Sequence, residues 1–378
     1  MLAATPPMGW NGWNHFGPGI SSRVVRETVD AFVSSGIKDA GYEYLVIDDL
    51  WHGGRDEKGR LYPCPKRFPE GMKALGDYVH SRGLKFGIYS DAGPKTCAGQ
   101  PASQDCEEID ARTFAGWGVD YLKYDWCNAE HSRANAEYRY GKMAAALRAT
   151  GRDIIFSMCE WGHHRPWLWG AKIGAHLWRT GTDICDCWND PTGMKHEIES
   201  IGFERQRGLE GFAGPGHWND PDFLVVGLGG KGKQSPGAGC TDTEYRTQFG
   251  LWCLLAAPLM IGNDVRTLDA PTREILLNRE AIALDQDPLG KQGYFAGYDF
   301  PPNTEIWKKP LSGGELGVGL FNRHWQRTRV AAHWSDLEIR GAYKVRDLWA
   351  HEDRGAYDQE FSAEVDPHGC ALLRLTPV

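Results

Sequence analysis

One pattern constrains this chain more than any other. Over the first 290 residues a short apolar run gives way to an amphipathic stretch, and this happens eight times. The runs cover residues 7–13, 42–49, 84–91, 119–127, 153–161, 175–183, 216–226 and 258–265. Between the first two, Val25, Val29, Phe32 and Val33 share one face of a predicted helix that Gly36 ends. Between the second and third, residues 68–82 repeat the design and Gly83 closes it. Strand and helix alternating in this way predict a parallel (β/α)8 TIM barrel, a fold that takes about 250 residues. After Asp287-Pro288 the helical period stops. Alternating runs at 304–308, 317–322, 329–334, 342–348, 360–365 and 371–376, parted by Gly and Pro turns, predict a C-terminal antiparallel β-sandwich. The expected division is a catalytic barrel over 1–288 and a sandwich over 289–378.

Composition removes other classes. With 41% hydrophobic and 24% charged residues the chain is neither disordered nor fibrous. It contains no apolar run of about 18 residues, so no transmembrane helix is expected. A net charge of −8 argues against nucleic acid and against an anionic membrane surface as partners. Sixteen tryptophans are many, and flat apolar faces of this kind suit both core filling and stacking on sugar rings. The ten cysteines include no Cys-x-x-Cys pair, although Cys97, Cys106 and Cys127 could contain a bridge or two. The segment Met1-Leu-Ala-Ala-Thr-Pro-Pro7 reads as an initiator Met before an already trimmed start, so a secreted or periplasmic location is expected.

In such barrels the active site forms at the C-terminal ends of the strands. Here those ends are acidic: Asp48-Asp49, Asp91, Asp125, Glu160, Asp183, and Asp220 with Asp222. Any one of them could simply cap the next helix. The set, with Lys123, Arg179 and several tryptophans beside it, points to a pocket. Metal-assisted hydrolysis would call for histidines or clustered ligands, and the His163-His164 pair reads as loop surface. Proton abstraction with Mg²⁺ would not need the tryptophans. Glycoside hydrolysis uses two carboxylates flanking a sugar, with aromatic walls and charged partners for hydroxyls, and it accounts for the most residues.

Eight motifs, in order, resemble the α-galactosidases of glycoside hydrolase family 27. They are Thr5-Pro-Pro-Met-Gly-Trp-Asn11, Ile47-Asp-Asp49, Gly87-Ile-Tyr-Ser-Asp-Ala-Gly93, Tyr121-Leu-Lys-Tyr-Asp125, Cys159-Glu-Trp-Gly162, Trp178-Arg179 with Asp183, Gly214-Pro-Gly-His-Trp-Asn-Asp-Pro-Asp222 and Ala257-Pro-Leu-Met-Ile-Gly262. The resemblance implies a retaining exo-glycosidase for terminal α-D-galactose with no metal or organic cofactor. Asp125 would be the nucleophile and Asp183 the general acid/base, with Asp186 as rival for that role. Asp48, Asp49 and Lys123 would hold the 3-, 4- and 6-hydroxyl side. Glu160, Arg179 and Asp222 would hold the 2- and 3-hydroxyl side. Trp13, Tyr89 and Trp161 would wall the pocket, Cys127 would border it, and Cys97 would pair with Cys127. The substrates implied are α-galactoside oligosaccharides, polysaccharides or glycoconjugates.

The acidic pair Asp48-Asp49 favours a sugar with an exocyclic 6-hydroxyl, which β-L-arabinopyranose lacks. Cys159-Glu160-Trp161 lacks the small pair with which α-N-acetylgalactosaminidases admit an acetamido group. Those two activities, a non-catalytic galactose-binding protein and a metal-dependent hydrolase are the alternatives. Leu50, Trp126, Cys159, Cys185, Cys187 and Phe223 depart from the family pattern. With the Gly-rich loop 229–239 they leave the preferred aglycone open.

Overall fold

A computed structural model of the chain describes residues 1–190, 192–232, 235 and 237–378. Eight parallel strands form one curled sheet: β1 (Met8–Asn11), β2 (Tyr44–Ile47), β3 (Lys85–Asp91), β4 (Tyr121–Asp125), β5 (Ile155–Cys159), β6 (Leu177–Arg179), β7 (Trp218–Asp220) and β8 (Leu259–Ile261). From β1 to β7 each strand pairs with the next, and β8 pairs with β1. Leu224, just past β7, bridges Ile261 in parallel and closes the ring. Its amide donates to Met260 O at 2.8 Å, and Gly262 N donates to Leu224 O at 3.0 Å. The predicted barrel is therefore present, followed by the predicted sandwich.

The ladders are shorter than the apolar runs. The run 175–183 contributes only three residues to β6, and 216–226 only three to β7. Past those points the chain leaves the sheet, which frees the acidic residues to sit in loops over the barrel mouth.

Two helices keep the predicted form. In α1 (Ser22–Ser34) the Ser21 side chain accepts from Val24 N, and Val25, Val29 and Phe32 are buried. Val33 is 42% exposed instead, since it lies at the edge of that face. In α2 (Gly71–Ser81) Met72, Leu75 and Val79 are buried, and Gly83 at φ +69° ends the segment in the left-handed region. Two crossovers depart from the alternation. A four-residue helical turn, Gly170–Ile173, follows β5. A short π-helical stretch, Glu199–Glu204, lies between β6 and β7.

The barrel interior follows from period 2. One set of alternate residues, Tyr44, Val46, Tyr121, Ile155, Leu177, Trp218 and Met260, forms a single inner cluster. The other set, including Leu45, Ile47, Phe86, Ile88, Leu122, Phe156 and Met158, joins the larger core beneath the helices. Continuing the inner columns toward the C-terminal face reaches Asp48, Tyr89, Lys123, Asp125, Cys159 and Arg179. The same alternation that fills the core below thus aims charge inward above. Gly87 belongs to the inner set, and a Cβ there would come within 2.7 Å of Val46 Cγ2.

The sandwich has eight strands: β9 (Tyr294–Asp299), β10 (Thr304–Pro310), β11 (Leu316–Asn322), β12 (Thr328–His333), β13 (Tyr343–Asp347), β14 (Glu352–Tyr357), β15 (Glu360–Val365) and β16 (Cys370–Pro377). Six of them form a sheet ordered β9-β10-β11-β16-β13-β14, and β12 pairs with β15. Helix α3 (Asp242–Leu255) carries a capping box between Thr241 and Glu244 and is buried along most of its length. It packs against sandwich strands β10, β11 and β16, and so joins the two halves. Among the described residues no helix is long and apolar enough to cross a membrane.

Candidate active site

At the C-terminal face a cavity of about 130 Å³ is lined by Trp13, Asn14, Asp48, Asp49, Tyr89, Cys97, Lys123, Asp125, Arg179, Asp183, Asp222 and Phe223. Most of the residues expected from the sequence therefore meet in one place. The register explains the centre: Tyr89 lies beside Lys123, and Asp91 beside Asp125.

Asp125 is 6% exposed at the end of β4. Its Oδ2 accepts from Tyr89 Oη at 2.9 Å, and its Oδ1 from Trp126 N at 3.0 Å. Burial pushes its carboxyl up to about 6, while Lys123 and the Tyr89 hydroxyl draw it back. Lys123 Nζ lies 2.7 Å from Asp48 Oδ2, to which Asn11 Nδ2 also donates at 2.7 Å. Burial alone would lower the ammonium, but the surrounding carboxylates, Asp48 foremost, outweigh it and hold Lys123 charged. Asp49 is fixed by Ala98 N at 2.9 Å and Leu50 N at 2.6 Å. Behind it His52 Nδ1 lies 3.6 Å from Asp49 Oδ1.

The opposite wall is built on Arg179. Its Nη2 lies 3.0 Å from Asp222 Oδ2 and 3.2 Å from Asp183 Oδ1, and it also donates to Thr182 O at 2.6 Å. Asp222 is held further by Ile184 N at 2.8 Å. Burial pushes its carboxyl up to about 7 against the pull of Arg179. The two carboxylates on this guanidinium differ in exposure: the Asp183 side chain is 39% exposed and that of Asp222 3%. Asp222 sits at φ +88°, Trp161 at +56° and Leu50 at +72°, so the left-handed non-glycine positions include three in the loops around this site.

Asp186 takes no part in the cavity. Its buried carboxylate accepts from Gly230 N at 2.9 Å, Cys240 N at 3.0 Å and Tyr245 Oη at 2.9 Å, so it anchors both ends of the Gly-rich loop. Within that loop Lys233, Gln234 and Pro236 lie outside the described residues.

Three expected site residues, Glu160 for the 2- and 3-hydroxyl side, Trp161 for the wall and Cys127 at the border, are absent from the cavity lining. Glu160 is fully buried, and its Oε2 turns back to accept from His164 N at 2.8 Å, with His164 Nδ1 at 2.9 Å. His164, expected on the loop surface, is 15% exposed in its side chain and serves this contact. Trp161 packs beside His163, with ring centroids 5.7 Å apart. Cys127 is bonded to Cys97, and its amide donates to Asp91 Oδ2 at 2.8 Å. The bridge pins the loop after β3 to the end of β4, and Cys106 is a free thiol. Conversely, Asn11 and Asn14 reach the site although nothing in the residue type or spacing of either marks it alone.

The described residues contain a group able to approach a cation: Asp91, Cys97, Asp125 and Cys127 place their ligand atoms within 4.8 Å of one another. Both sulfurs are spent on the disulfide, and Asp91 already accepts from Gly93 N at 2.6 Å and Cys127 N at 2.8 Å. That donor set does not fit a resident metal.

Comparison with known proteins shows the family of the chain. The family model described as alpha galactosidase A matches residues 5–287, and that described as alpha galactosidase C-terminal beta sandwich domain matches residues 302–375. An α-galactosidase of Cyamopsis tetragonoloba is 46% identical over 380 residues, covering 100% of this chain and 87% of the relative. The crystal structure of α-galactosidase I from Mortierella vinacea superposes with a TM-score of 0.93 at 34% identity, covering 100% of this chain and 98% of the other. A family 27 β-L-arabinopyranosidase from Geobacillus stearothermophilus gives 0.84 at 26% identity, covering 100% and 97%.

Proposed function

Because this chain belongs to the α-galactosidase family, we propose that it hydrolyses terminal α-D-galactosyl residues with retention, through a covalent glycosyl-enzyme. The observation that carries the reading is the pairing of two unlike carboxylates across one small cavity. Asp125 is buried, oriented by Tyr89 Oη and Trp126 N, and flanked by the Lys123 cation. Asp183 is more open to solvent and held by Arg179. A nucleophile needs fixed aim and a negative charge, whereas a general acid/base needs access to the leaving oxygen and to water.

In the first step an Asp125 oxygen attacks the anomeric carbon while Asp183 gives its proton to the departing glycosidic oxygen. In the second, Asp183 takes a proton from water, which attacks the same carbon and releases Asp125. Asp48 and Asp49 accept from the 4- and 6-hydroxyls, Lys123 donates on the 3- and 4-hydroxyl side, and Arg179 with Asp222 holds the 2-hydroxyl side. Trp13, Tyr89 and Phe223 offer the apolar wall. The small cavity suits a single terminal sugar, hence exo action on α-galactoside oligosaccharides, polysaccharides or glycoconjugates. The disulfide supports an oxidising setting, secreted or periplasmic.

The second reading is β-L-arabinopyranosidase activity, which the family also contains. The Asp48-Asp49 pair argues against it, because a pentose forgoes the hydrogen bonds those carboxylates offer an exocyclic hydroxyl. The test is a comparison of kcat/KM on aryl α-D-galactoside, β-L-arabinopyranoside and α-N-acetylgalactosaminide. The galactoside is expected to lead the pentose by about 10⁴-fold, the scale on which a site built to hydrogen-bond a hydroxyl rejects an analogue that lacks it. Equal constants, or a preference for either rival, would displace the galactose assignment.

A pH dependence follows from the same groups. Asp125 must be ionised to attack, and its raised carboxyl moves loss of activity toward neutrality. kcat/KM is expected to fall about tenfold per unit once the pH drops below about 6. Asp222, pushed up to about 7, titrates nearby, so the acid limb belongs to the cluster. Lys123→Gln removes the main influence that draws Asp125 down and should move that limb to higher pH. An acid limb near the ordinary Asp value of about 3.9 would contradict the assignment.

A further inference from the structure

A second concave site lies at the seam of barrel and sandwich, away from the acidic cavity. It is a groove of about 540 Å³, against about 130 Å³ for the cavity, and small-ligand sites commonly span roughly 300–1,000 Å³ and favour domain interfaces.

Two aromatic rings give the groove its flat surfaces. Trp349 is held by its indole N–H on Cys370 Sγ at 3.4 Å and lies 6.4 Å from the Phe249 ring. Tyr357 is 36% exposed, its hydroxyl donates to Arg354 O at 2.9 Å, and its ring meets Phe361 edge-on at 5.1 Å. Their polar atoms are engaged, so what remains for a ligand is their faces, already ordered before binding.

The two arginines at these faces are already paired, and the lining carries more carboxylates than cations. Arg354 pairs with Asp347 at 2.8 Å and Arg246 with Glu274 at 2.9 Å, while Glu364 adds an exposed carboxylate to the lining. An anion therefore gains little here. Arg246 Nε is buried without a hydrogen-bond partner among the described residues. Planar donors and acceptors of both signs around flat apolar faces match a neutral polyhydroxylated ligand, whose ring C–H face stacks while its hydroxyls pair at the rim.

We propose that this groove is a second, non-catalytic saccharide site that holds the polymer backbone from which the α-galactosyl units branch. The proposal rests on the galactosidase reading above. A cavity sized for one sugar gives a polymer little footing. A second contact raises the effective concentration of branches at the cavity without altering the chemistry. An extended peptide added to β14, the outer strand of its sheet, is the competing occupant, and the charged Glu352, Asp353 and Arg354 on that edge disfavour it.

The test uses the full chain carrying Asp125→Asn, with soluble galactomannan as the probe in affinity electrophoresis. The polymer is expected to retard this protein, and Tyr357→Ala should raise the apparent Kd about tenfold, with Arg354→Ala acting in the same direction. In the otherwise unaltered chain Tyr357→Ala should slow galactomannan hydrolysis several-fold and leave kcat/KM on an aryl α-galactoside unchanged. Absence of retardation, or retardation that both substitutions leave intact, overturns the proposal, as does capture of an extended peptide in place of the polymer. Failure of the catalytic reading would show separately, as normal aryl-galactoside turnover by Asp125→Asn.

Discussion

Asp125→Asn is expected to lower kcat on an aryl α-D-galactoside by roughly four orders of magnitude or more, the usual scale when a covalent nucleophile is removed. The amide keeps the size of the carboxyl; its oxygen can still accept from Trp126 N, and its NH2 can donate to Tyr89 Oη, which accepts as well as donates, so the site should remain assembled. What disappears is the charge that attacks. The same change should not weaken the fold. Burial raises the Asp125 carboxyl to about 6, so near pH 7 the folded state carries the cost of a desolvated charge. That cost is absent below the unfolded pKa and grows as the pH rises through the folded one, so the neutral variant should melt at the same temperature or slightly higher at pH 7. Thermal unfolding and turnover, measured on one preparation, separate the two effects. An Asp125→Asn chain with near-normal turnover contradicts the assigned role, and one that is inactive because it has unfolded tests nothing but the fold.

Asp183→Asn should behave differently, and the difference is diagnostic. General acid/base assistance contributes typically 10²–10⁴-fold. Its weight in the first step depends on the leaving group: an activated phenol needs little protonation, whereas a sugar hydroxyl needs it fully. The variant should therefore lose far more on raffinose-type oligosaccharides than on a nitrophenyl galactoside. Its second step still lacks a base, so with the activated substrate the glycosyl-enzyme should accumulate and give a burst of phenol. The exposure of the Asp183 side chain, beside the Arg179 guanidinium, fits a group that must exchange protons with water between steps. Equal losses on both substrates, with no burst, would assign Asp183 to binding alone.

The regular part of this molecule was legible in the sequence because period 2 governs residues inside a ladder. Asp48, Tyr89, Lys123, Asp125 and Arg179 continue the inner columns of β2, β3, β4 and β6, and one alternation carries them to the cavity. Legibility ends where the chain leaves the sheet. Asp183 and Asp186 both follow β6, and no periodicity tells which one faces the substrate. The structure turns Asp186 to the Gly230, Cys240 and Tyr245 groups and leaves Asp183 on Arg179. Glu160 has the same problem, since one step past β5 its carboxyl turns back to His164. In the sandwich β14 is exposed along its whole length, so its sequence shows no apolar alternation. β9 carries a bulge between Phe295 and Gly297 that breaks its period. The hairpin of His52–Arg55 with Leu61–Pro63 is too short and too polar to announce itself.

The central claim is that Asp125 forms a covalent bond to the anomeric carbon of galactose. Incubation with a fluorinated α-galactosyl donor whose glycosyl-enzyme turns over slowly, followed by peptide mapping by mass spectrometry, tests it directly. A single galactosyl adduct on Asp125, displaced on release of the sugar as activity returns, is the predicted result. An adduct on another carboxylate, or inhibition with no adduct at all, would contradict it.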